Sequence, residues 1–466
     1  MTALGPITRE IARHVAGARF DALPAATVQA ARRVLLDASG VMLAASGLSD
    51  DVRPFVELAR RQGGAPEATI LGHRERVPAA LAAFANGAMA HALDYEDAFD
   101  RAPVHPNAAS IPALLALAES RAPVSGADLL TAIVVGCDVA CRLGLAAGTA
   151  LEAAGWYPPP ILGAFGATAA AARLLHLDER QVADAFSLLL LQNSAPAQIR
   201  HASDGVLRAV REAVPAQAAV QCALLAELGV RGFDAPLEGP GGFFEAFGRG
   251  APAGGSLLDG LGRHWLIDEL SFKPWPSCRG THAAIELALR LRREQGRVAA
   301  EATHIVVGGG PVQSMLAEPA ARKQAPPTAI EAKFSLPFTI ATALVHGNVG
   351  LDHFGARALR DGAVLRVASR VRFERCADWG ADRAASARLS VQLRDGRTRD
   401  AELPEPLGSP ARPLDDAALV RKFVECAARA AQPWPEARAV VVAQRILALA
   451  ADADASRPLD GAPPPV

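Results

Sequence analysis

Seven stretches of the chain are rich in Ala and Leu and repeat their apolar residues at helical spacing. They are too apolar to be surface helices that bury only one side, so we predict that they form layers of a helical core. Loops such as GWYPPP at 155–160 and EGPGG at 238–242 separate them. The predicted helical stretches are 25–47, 77–93, 108–121, 128–150, 161–176, 180–192 and 212–229.

The pattern changes after about residue 268. A β-branched run at 304–307 ends in three glycines, residues 371–375 alternate, and ARLSVQLRDGRTRDAEL carries an Asp395-Gly396 hairpin signal between two strands. Helical spacing returns from about residue 413. We therefore predict a mainly α protein with a large all-helical domain (1–268), a smaller α+β domain (269–405) and a segment (406–466) that returns to the helical domain.

Composition then narrows the functional classes. Among 466 residues, 48 Lys plus Arg face 49 Asp plus Glu, so no basic surplus exists for binding nucleic acid. The six cysteines form no CxxC pair, which favours reduced thiols in a cytoplasmic protein. We expect no secretory signal at the amino terminus. The apolar run after Leu129 is interrupted by Asp138 and Arg142, so we also expect no membrane span.

Two glycine-rich stretches, GGGPV and GPGG, resemble phosphate-binding loops only superficially. Neither contains GxGxxG or GxxxxGK[ST], and we interpret both as turns. No cofactor motif is present, so we predict chemistry by side chains, without a metal or an organic cofactor.

A polar island at 91–106 stands out inside the apolar half. If the preceding helix continues through it, His91, Asp94 and Asp97 lie on one face, and two prolines fix the backbone around His105. An imidazole held in this way suits general acid/base catalysis. A capped helix end with a solvated acidic loop fits the same pattern. A metal site is the third alternative, although the spacing lacks a HExxH-like motif.

Lysine is rare in this chain, with four residues against 44 arginines. A lysine, unlike an arginine, loses its proton when it is desolvated, so Lys273 in the apolar, proline-stiffened FKPWP segment is a candidate base. The alternative is an exposed loop lysine ahead of a helix cap. The following amphipathic helix, IELALRLRREQ, offers an amino end that can bind a carboxylate. The two tyrosines, Tyr95 and Tyr157, both lie in polar or proline-rich stretches.

Five segments stand out along the chain: HALDYEDAFDRAPVHPNAASIPALLALAE, WYPPPILGAFGATAAAARLLHLD, LEGPGGFFEAFG, FKPWPSCRGTHAAIELAL and EAKFSLPFTIATALVHGNVGLDHF. Together they resemble successive motifs of the MmgE/PrpD family, which includes 2-methylcitrate dehydratase, cis-aconitate decarboxylase and iminodisuccinate epimerase. The resemblance runs in order over about residues 5–450. It implies a helical domain built from both chain ends, an inserted α+β lid domain, a homodimer, and cofactor-free catalysis on small polycarboxylates in a cleft between domains.

The resemblance also implies site residues. Asp94, His105 and Lys273 match the family's Asp, the His of its HP pair and the Lys of its FK segment. We predict Lys273 and His105 as the proton-transfer pair, Tyr157 as a second acid, and Asp94 as the group that orients or charge-balances one of them.

Substrate binding is assigned to four further residues. Arg211 and Arg279 are the predicted carboxylate anchors, because a guanidinium pairs with a carboxylate through two hydrogen bonds. Cys278 and Thr281, in the same segment as Arg279, are assigned with them.

Several positions depart from the decarboxylase branch. Tyr157 replaces a His, Arg211 a Lys, Cys278 a His, Phe338 a Tyr and Ala98 a Thr. The loss of these proton-transfer and hydrogen-bonding groups argues against cis-aconitate decarboxylation. The first hypothesis is therefore a lyase that dehydrates a hydroxylated di- or tricarboxylate of the 2-methylcitrate type. An epimerase of an iminodisuccinate-like dicarboxylate and a non-catalytic binding protein are the alternatives.

Overall fold

The computed structural model describes residues 3–200, 206–250, 257–296 and 298–460. The chain divides into two compact units. The first unit comprises residues 1–92, 96–270 and 415–466, and the second comprises 93–95 and 271–414. The first is helical except for one short hairpin, and the second combines helices with a four-stranded sheet. The predicted fold class, mainly α with a smaller α+β part, is confirmed.

The first unit contains thirteen described α-helices and a two-stranded antiparallel hairpin. All seven predicted helical stretches are present, with ends that differ by a few residues. The elements are α1 (Pro6–Gly17), α2 (Ala25–Leu48), α3 (Arg53–Gln62), β1 (Ala68–Thr69), β2 (Arg76–Val77), α4 (Ala79–Ala90), α5 (Asn107–Ser120), α6 (Gly126–Ala147), α7 (Ala150–Ala153), α8 (Pro158–Leu174), α9 (Glu179–Leu190), α10 (Ala213–Glu227), α11 (Phe243–Gly248), α19 (Asp416–Ala427) and α20 (Glu436–Ala448).

Helix α6 lies at the centre of the first unit and packs closely on α8. A Cβ on Gly136 would lie 2.8 Å from the Gly166 carbonyl oxygen, and a Cβ on Gly166 would lie 2.6 Å from that of Gly136. Only glycine at both positions permits this approach. Among the described residues, α6 is the one helix long and apolar enough to cross a membrane, and 94% of its most apolar window is buried. Its Asp138 and Arg142 pair internally at 2.7 Å.

Helix α4 does not continue through the polar island as the sequence suggested. It ends at Ala90, and the backbone then turns, with Asp94 in the left-handed region at φ 49°. Asp tolerates this region better than most residues do. His91, Asp94 and Asp97 therefore do not share a helical face. A second difference is that Pro158, Pro159 and Pro160 form the first turn of α8 rather than a loop, since proline lacks only an N–H that the first turn leaves unused.

The second unit holds a mixed sheet of four strands, β3 (Ala302–Gly309), β4 (Val371–Arg375), β5 (Ala387–Leu393) and β6 (Thr398–Leu403), in the order β4-β3-β5-β6. Strands β3 and β4 are parallel, with Ile305 opposite Val371, and the other neighbours are antiparallel. The hairpin at Asp395-Gly396 is confirmed between β5 and β6. The described α-helices of this unit are α12 (His282–Gln295), α13 (Val298–Glu301), α14 (Pro311–Ala317), α15 (Ala320–Gln324), α16 (Ala329–Lys333), α17 (Leu336–His346) and α18 (Gly362–Ala368).

The GGGPV stretch forms the junction between β3 and α14. Gly308 and Gly309 end the strand, and Gly310 precedes the helix. A Cβ on Gly309 would lie 2.4 Å from the Cβ of Gln313, so the Gln313 side chain leaves no room for one. The Gln313 amide donates to three backbone carbonyls of 383–386. A side chain of the protein thus packs against this turn and bonds across it, as expected for a structural turn.

The carboxyl-terminal helices complete the first unit. Helix α19 packs on α2, where the Lys422 ammonium contacts the Asp37 carboxylate at 2.6 Å, and both side chains are buried. A Cβ on Gly47 of α2 would lie 2.2 Å from the Arg429 carbonyl oxygen, so α2 also lies very close to the turn that follows α19.

Candidate active site

His105 lies just before α5, in the loop that follows the polar turn. Its Nδ1 is 3.0 Å from the Asp97 carbonyl oxygen and 3.0 Å from the Glu96 carboxylate. Because both neighbours are acceptors, Nδ1 carries a proton and donates it. In the neutral ring the lone pair is therefore on Nε2, which no described residue contacts by a hydrogen bond. The side chain keeps 18% of its surface exposed. This is the tautomer that a general base requires.

Two buried side chains hold the loop around His105. The Asn107 amide, in the first turn of α5, donates to the Asp97 carboxylate at 2.9 Å. His91, which caps α4, contacts the same Glu96 oxygen as His105 does, at 2.5 Å, and the two imidazole rings lie 5.1 Å apart. Glu96 thus bridges the end of α4 and the start of α5, and it fixes the orientation of His105.

His91, Glu96 and His105 are also residue types that bind metal ions. Their ligand atoms all lie within 4.8 Å of one another. The short contacts between them are those of a hydrogen-bonded chain, in which protons join the groups that an ion would otherwise join. Catalysis without a metal remains a prediction.

Arg211, just before α10, lies against Tyr157, which caps α8. Its Nη1 donates to the Tyr157 hydroxyl oxygen, and its guanidinium carbon lies 5.2 Å from the centre of the Tyr157 ring. Burial lowers the pKa of Arg211, but its interactions with Tyr157, Glu212 and Glu96 raise the pKa by more. The pKa is therefore raised overall, and the guanidinium stays charged. Its Nη2 is buried and has no hydrogen-bond partner among the described residues. A buried cation with an unused donor fits the predicted carboxylate anchor.

Glu212 belongs to the same cluster, although the sequence analysis missed it. Its Oε1 accepts from Arg211 Nε at 2.8 Å, and its Oε2 is buried with no partner among the described residues. Burial raises the pKa of Glu212 above the ordinary glutamate value, and the charges of Arg211 and His105 offset this only in part. The one signal in the sequence is a carboxylate at the start of an Ala-rich apolar helix.

Lys273 is fully buried, as are the predicted site residues Asp94 and Thr281. It is 0% exposed, and its Nζ donates to the Asp94 carbonyl at 3.0 Å and to the Asp94 carboxylate at 2.5 Å. The Tyr95 hydroxyl donates to the Pro274 carbonyl at 3.2 Å. These contacts tie the left-handed turn at Asp94 to the FKPWP segment. The alternative of an exposed loop lysine is wrong, and Asp94 is the charge partner of Lys273.

The segment after Lys273 positions a second arginine. Arg279 Nη1 donates to the Leu407 carbonyl at 3.2 Å and lies 3.4 Å from Nδ1 of His282. His282 Nε2 lies 3.1 Å from the Ser277 carbonyl. Burial, then the charges of Arg279 and Lys273, keep the pKa of His282 well below its usual value. His282 is thus a neutral ring that accepts from Arg279 and orients it.

Thr281 makes local contacts, whereas the backbone of Cys278 contacts a residue far along the chain. The Cys278 backbone N–H donates to the Lys333 carbonyl at 3.0 Å, and its side chain is partly exposed. The Thr281 hydroxyl is fully buried and lies 2.8 Å from both the Ser277 hydroxyl and the Cys278 carbonyl. These contacts give Thr281 a structural role in the turn before α12, and the assignment of both residues to substrate binding remains a prediction.

Comparison with known protein families decides the relationship. Residues 9–255 match the MmgE/PrpD N-terminal domain, and residues 275–446 match the MmgE/PrpD C-terminal domain. The chain belongs to the MmgE/PrpD family. The resemblance carried by the five sequence motifs is confirmed.

Similar curated proteins span nearly the whole chain. The cis-aconitate decarboxylase-like protein oryM of Aspergillus oryzae is 28% identical over 88% of this chain and 89% of its own length. The cis-aconitate decarboxylase of Mus musculus is 25% identical over 90% of this chain and 86% of its own, and that of Homo sapiens 26% over 90% and 87%.

Within this MmgE/PrpD protein, the predicted site residues fall into two groups. The first unit brings His105, Tyr157 and Arg211 into one electrostatic cluster, because Glu96 and Glu212 interact with members on both sides. The second unit brings Lys273 together with Asp94, and it also contains Cys278, Arg279 and Thr281. The joint action of Lys273 and His105 on one substrate remains a prediction.

Proposed function

We propose that the protein is a lyase that removes water from a small hydroxylated di- or tricarboxylate of the 2-methylcitrate type, without a metal or an organic cofactor. Two lines of support are family membership and the names of relatives, which describe decarboxylases of a tricarboxylate. The observation that carries the proposal is His105, held by Glu96 in the basic tautomer, in a cluster where Arg211 has a buried, unused donor.

In the proposed reaction Arg211 binds a substrate carboxylate and His105 Nε2 removes the proton from the adjacent carbon. The electron pair forms the C=C bond as the C–O bond at the next carbon breaks. Lys273, whose contact with Asp94 is that of an ammonium with a carboxylate, gives a proton to the departing hydroxyl, which leaves as water. Proton exchange with solvent then restores His105 and Lys273.

A substrate panel tests this proposal. Purified protein is incubated with 2-methylcitrate stereoisomers, citrate and malate analogues, and the absorbance of the enoate product is followed. A His105→Gln variant should lower kcat by about 10²–10⁴-fold, which is the usual contribution of general acid/base catalysis. The control is His304→Gln, because His304 is exposed on β3. Stabilisation by ligands without turnover of any of them would leave only a binding protein.

Tyr157 supports a second candidate, an epimerase. Its hydroxyl oxygen accepts from Arg211, so the phenolic proton remains available for a substrate. A proton returned to the opposite face of the same carbon would invert it without loss of mass. In heavy water an iminodisuccinate-like dicarboxylate would then take up deuterium at the α-carbon, and absence of exchange would eliminate this candidate.

A further inference from the structure

The pair formed by Arg211 and Glu212 is incomplete in a specific way. Nε and Nη2 lie on the same edge of a guanidinium and together match the two oxygens of one carboxylate. Glu212 uses only Nε, through Oε1 at 2.8 Å. Arg211 Nη2 and Glu212 Oε2 are both buried, and neither has a hydrogen-bond partner among the described residues. Two polar atoms on adjacent residues are thus left for a third group.

An unpartnered buried polar atom is costly, so such atoms in a functional cluster indicate a ligand that is yet to bind. Gly163 of α8 faces Glu212, since a Cβ at that position would lie 3.5 Å from Oε2. Because glycine has no side chain, no α8 side chain at this position covers the oxygen. The two unused polar atoms and the glycine beside them mark a candidate polar subsite.

The charge of Glu212 decides what this subsite can bind. The charged and titratable groups around it are Arg211, His105, Glu96 and Tyr157. Ionised Glu212 would repel a second carboxylate beside Arg211, whereas a protonated Glu212 would donate from Oε2. Burial favours the protonated form, in which both unused atoms are donors.

We propose that Arg211 Nη2 and a protonated Glu212 Oε2 together bind one carboxylate of the substrate, so that binding requires a proton on Glu212. This deepens the proposed function and rests on it for the chemical class of ligand, a di- or tricarboxylate. Glu212 is then a specificity-determining residue that selects anions according to pH. Arg211 alone would bind a carboxylate with no such dependence.

Calorimetry with tricarballylate, a tricarboxylate that has no hydroxyl to lose, tests the proposal without turnover. Binding measured in buffers of different ionisation enthalpy should show uptake of about one proton at a pH above the Glu212 pKa. There Kd should rise about tenfold per pH unit. Glu212→Gln keeps a donor in the same place but cannot titrate, so it should bind at low pH like the wild type and lose the pH dependence. The matched control, Glu227→Gln at the other end of α10, should retain it.

The outcomes separate this inference from the proposed reaction. Proton uptake that disappears in Glu212→Gln supports the inference even if no substrate is turned over. Turnover with a pH-independent Kd, or a pH dependence that is unchanged in Glu212→Gln, overturns the inference and leaves the lyase proposal standing. If the Gln variant does not fold, the buffer dependence of the wild type alone still decides whether a proton is taken up.

Discussion

Replacing Lys273 by Met should strongly destabilise the second unit. Methionine keeps most of the apolar stem but removes the ammonium that contacts Asp94 at 2.5 Å and the Asp94 carbonyl at 3.0 Å. The side chains of Lys273 and Asp94 are 0% and 1% exposed, so water cannot replace the lost partner. Breaking a buried ion pair from one side costs about 3–5 kcal/mol, because an uncompensated charge is left behind. We expect a loss of that size.

The double variant separates charge from packing. Asp94→Asn alone leaves the ammonium without its carboxylate and should cost a similar amount. Lys273→Met combined with Asp94→Asn removes both charges, so it should cost clearly less than the two single changes added together. The left-handed backbone at Asp94 also favours Asn as the replacement, since Asn tolerates positive φ.

Urea denaturation followed by tryptophan fluorescence provides the measurement. Trp275 lies two residues from Lys273 and is buried, so its emission reports on this part of the chain. Trp434 and the other tryptophans of the first unit also fluoresce. The same measurement on a Trp275→Phe variant therefore gives their contribution, which is subtracted to obtain the signal of Trp275. A cost below about 1 kcal/mol for Lys273→Met, or strict additivity in the double variant, would show that the ion pair does not stabilise the fold as reasoned.

Four further predictions follow from the structure. Because the pKa of Glu212 is raised, the stability that this group contributes is complete below the ordinary glutamate pKa and declines as the pH rises through the raised value. Unfolding free energy should therefore fall with pH more steeply in the wild type than in Glu212→Gln, and parallel curves would contradict this. Gly87→Ala should destabilise by about 1–3 kcal/mol, since its Cβ would lie 2.6 Å from the Glu212 carbonyl oxygen, whereas Gly17→Ala, with open space, should not. Activity should survive dialysis against EDTA; a loss restored by a divalent metal would instead implicate His91, Glu96 and His105. Finally, we propose a homodimer that buries exposed apolar residues after α10, so Leu228→Asp, at a site 80% exposed, should give monomers in light scattering, and a monomeric wild type would refute it.

The helical layers could be predicted from the sequence because Ala and Leu recur at a spacing that tertiary packing then uses directly. The stretch at 128–150, for example, became α6 (Gly126–Ala147). The hairpin at Asp395-Gly396 was equally accessible, since the turn chemistry is local. The family could also be recognised, because its motifs remain legible along the chain.

The turn after α4 could not be predicted in the same way. A helical period over-extends through polar residues until something stops it, and here the stop is the left-handed conformation of Asp94, which Lys273 supports from 179 residues away. Glu212 was missed for a related reason. Next to Arg211 it looks like a charged pair on a helix surface, and only tertiary burial turns it into an acid with a raised pKa.

The completion of the first unit by the last helices affects how the protein is made. Helix α2 ends at Leu48, whereas α19, which covers one of its sides and neutralises Asp37 through Lys422, begins at Asp416. During synthesis on the ribosome, the apolar face of α2 that α19 covers therefore stays exposed until almost all of the polypeptide has been made. Exposed apolar surface of this kind is what chaperones bind. A stop codon ahead of α19 would give a truncated product in which the apolar face of α2 is exposed and the Asp37 carboxylate lacks its partner Lys422.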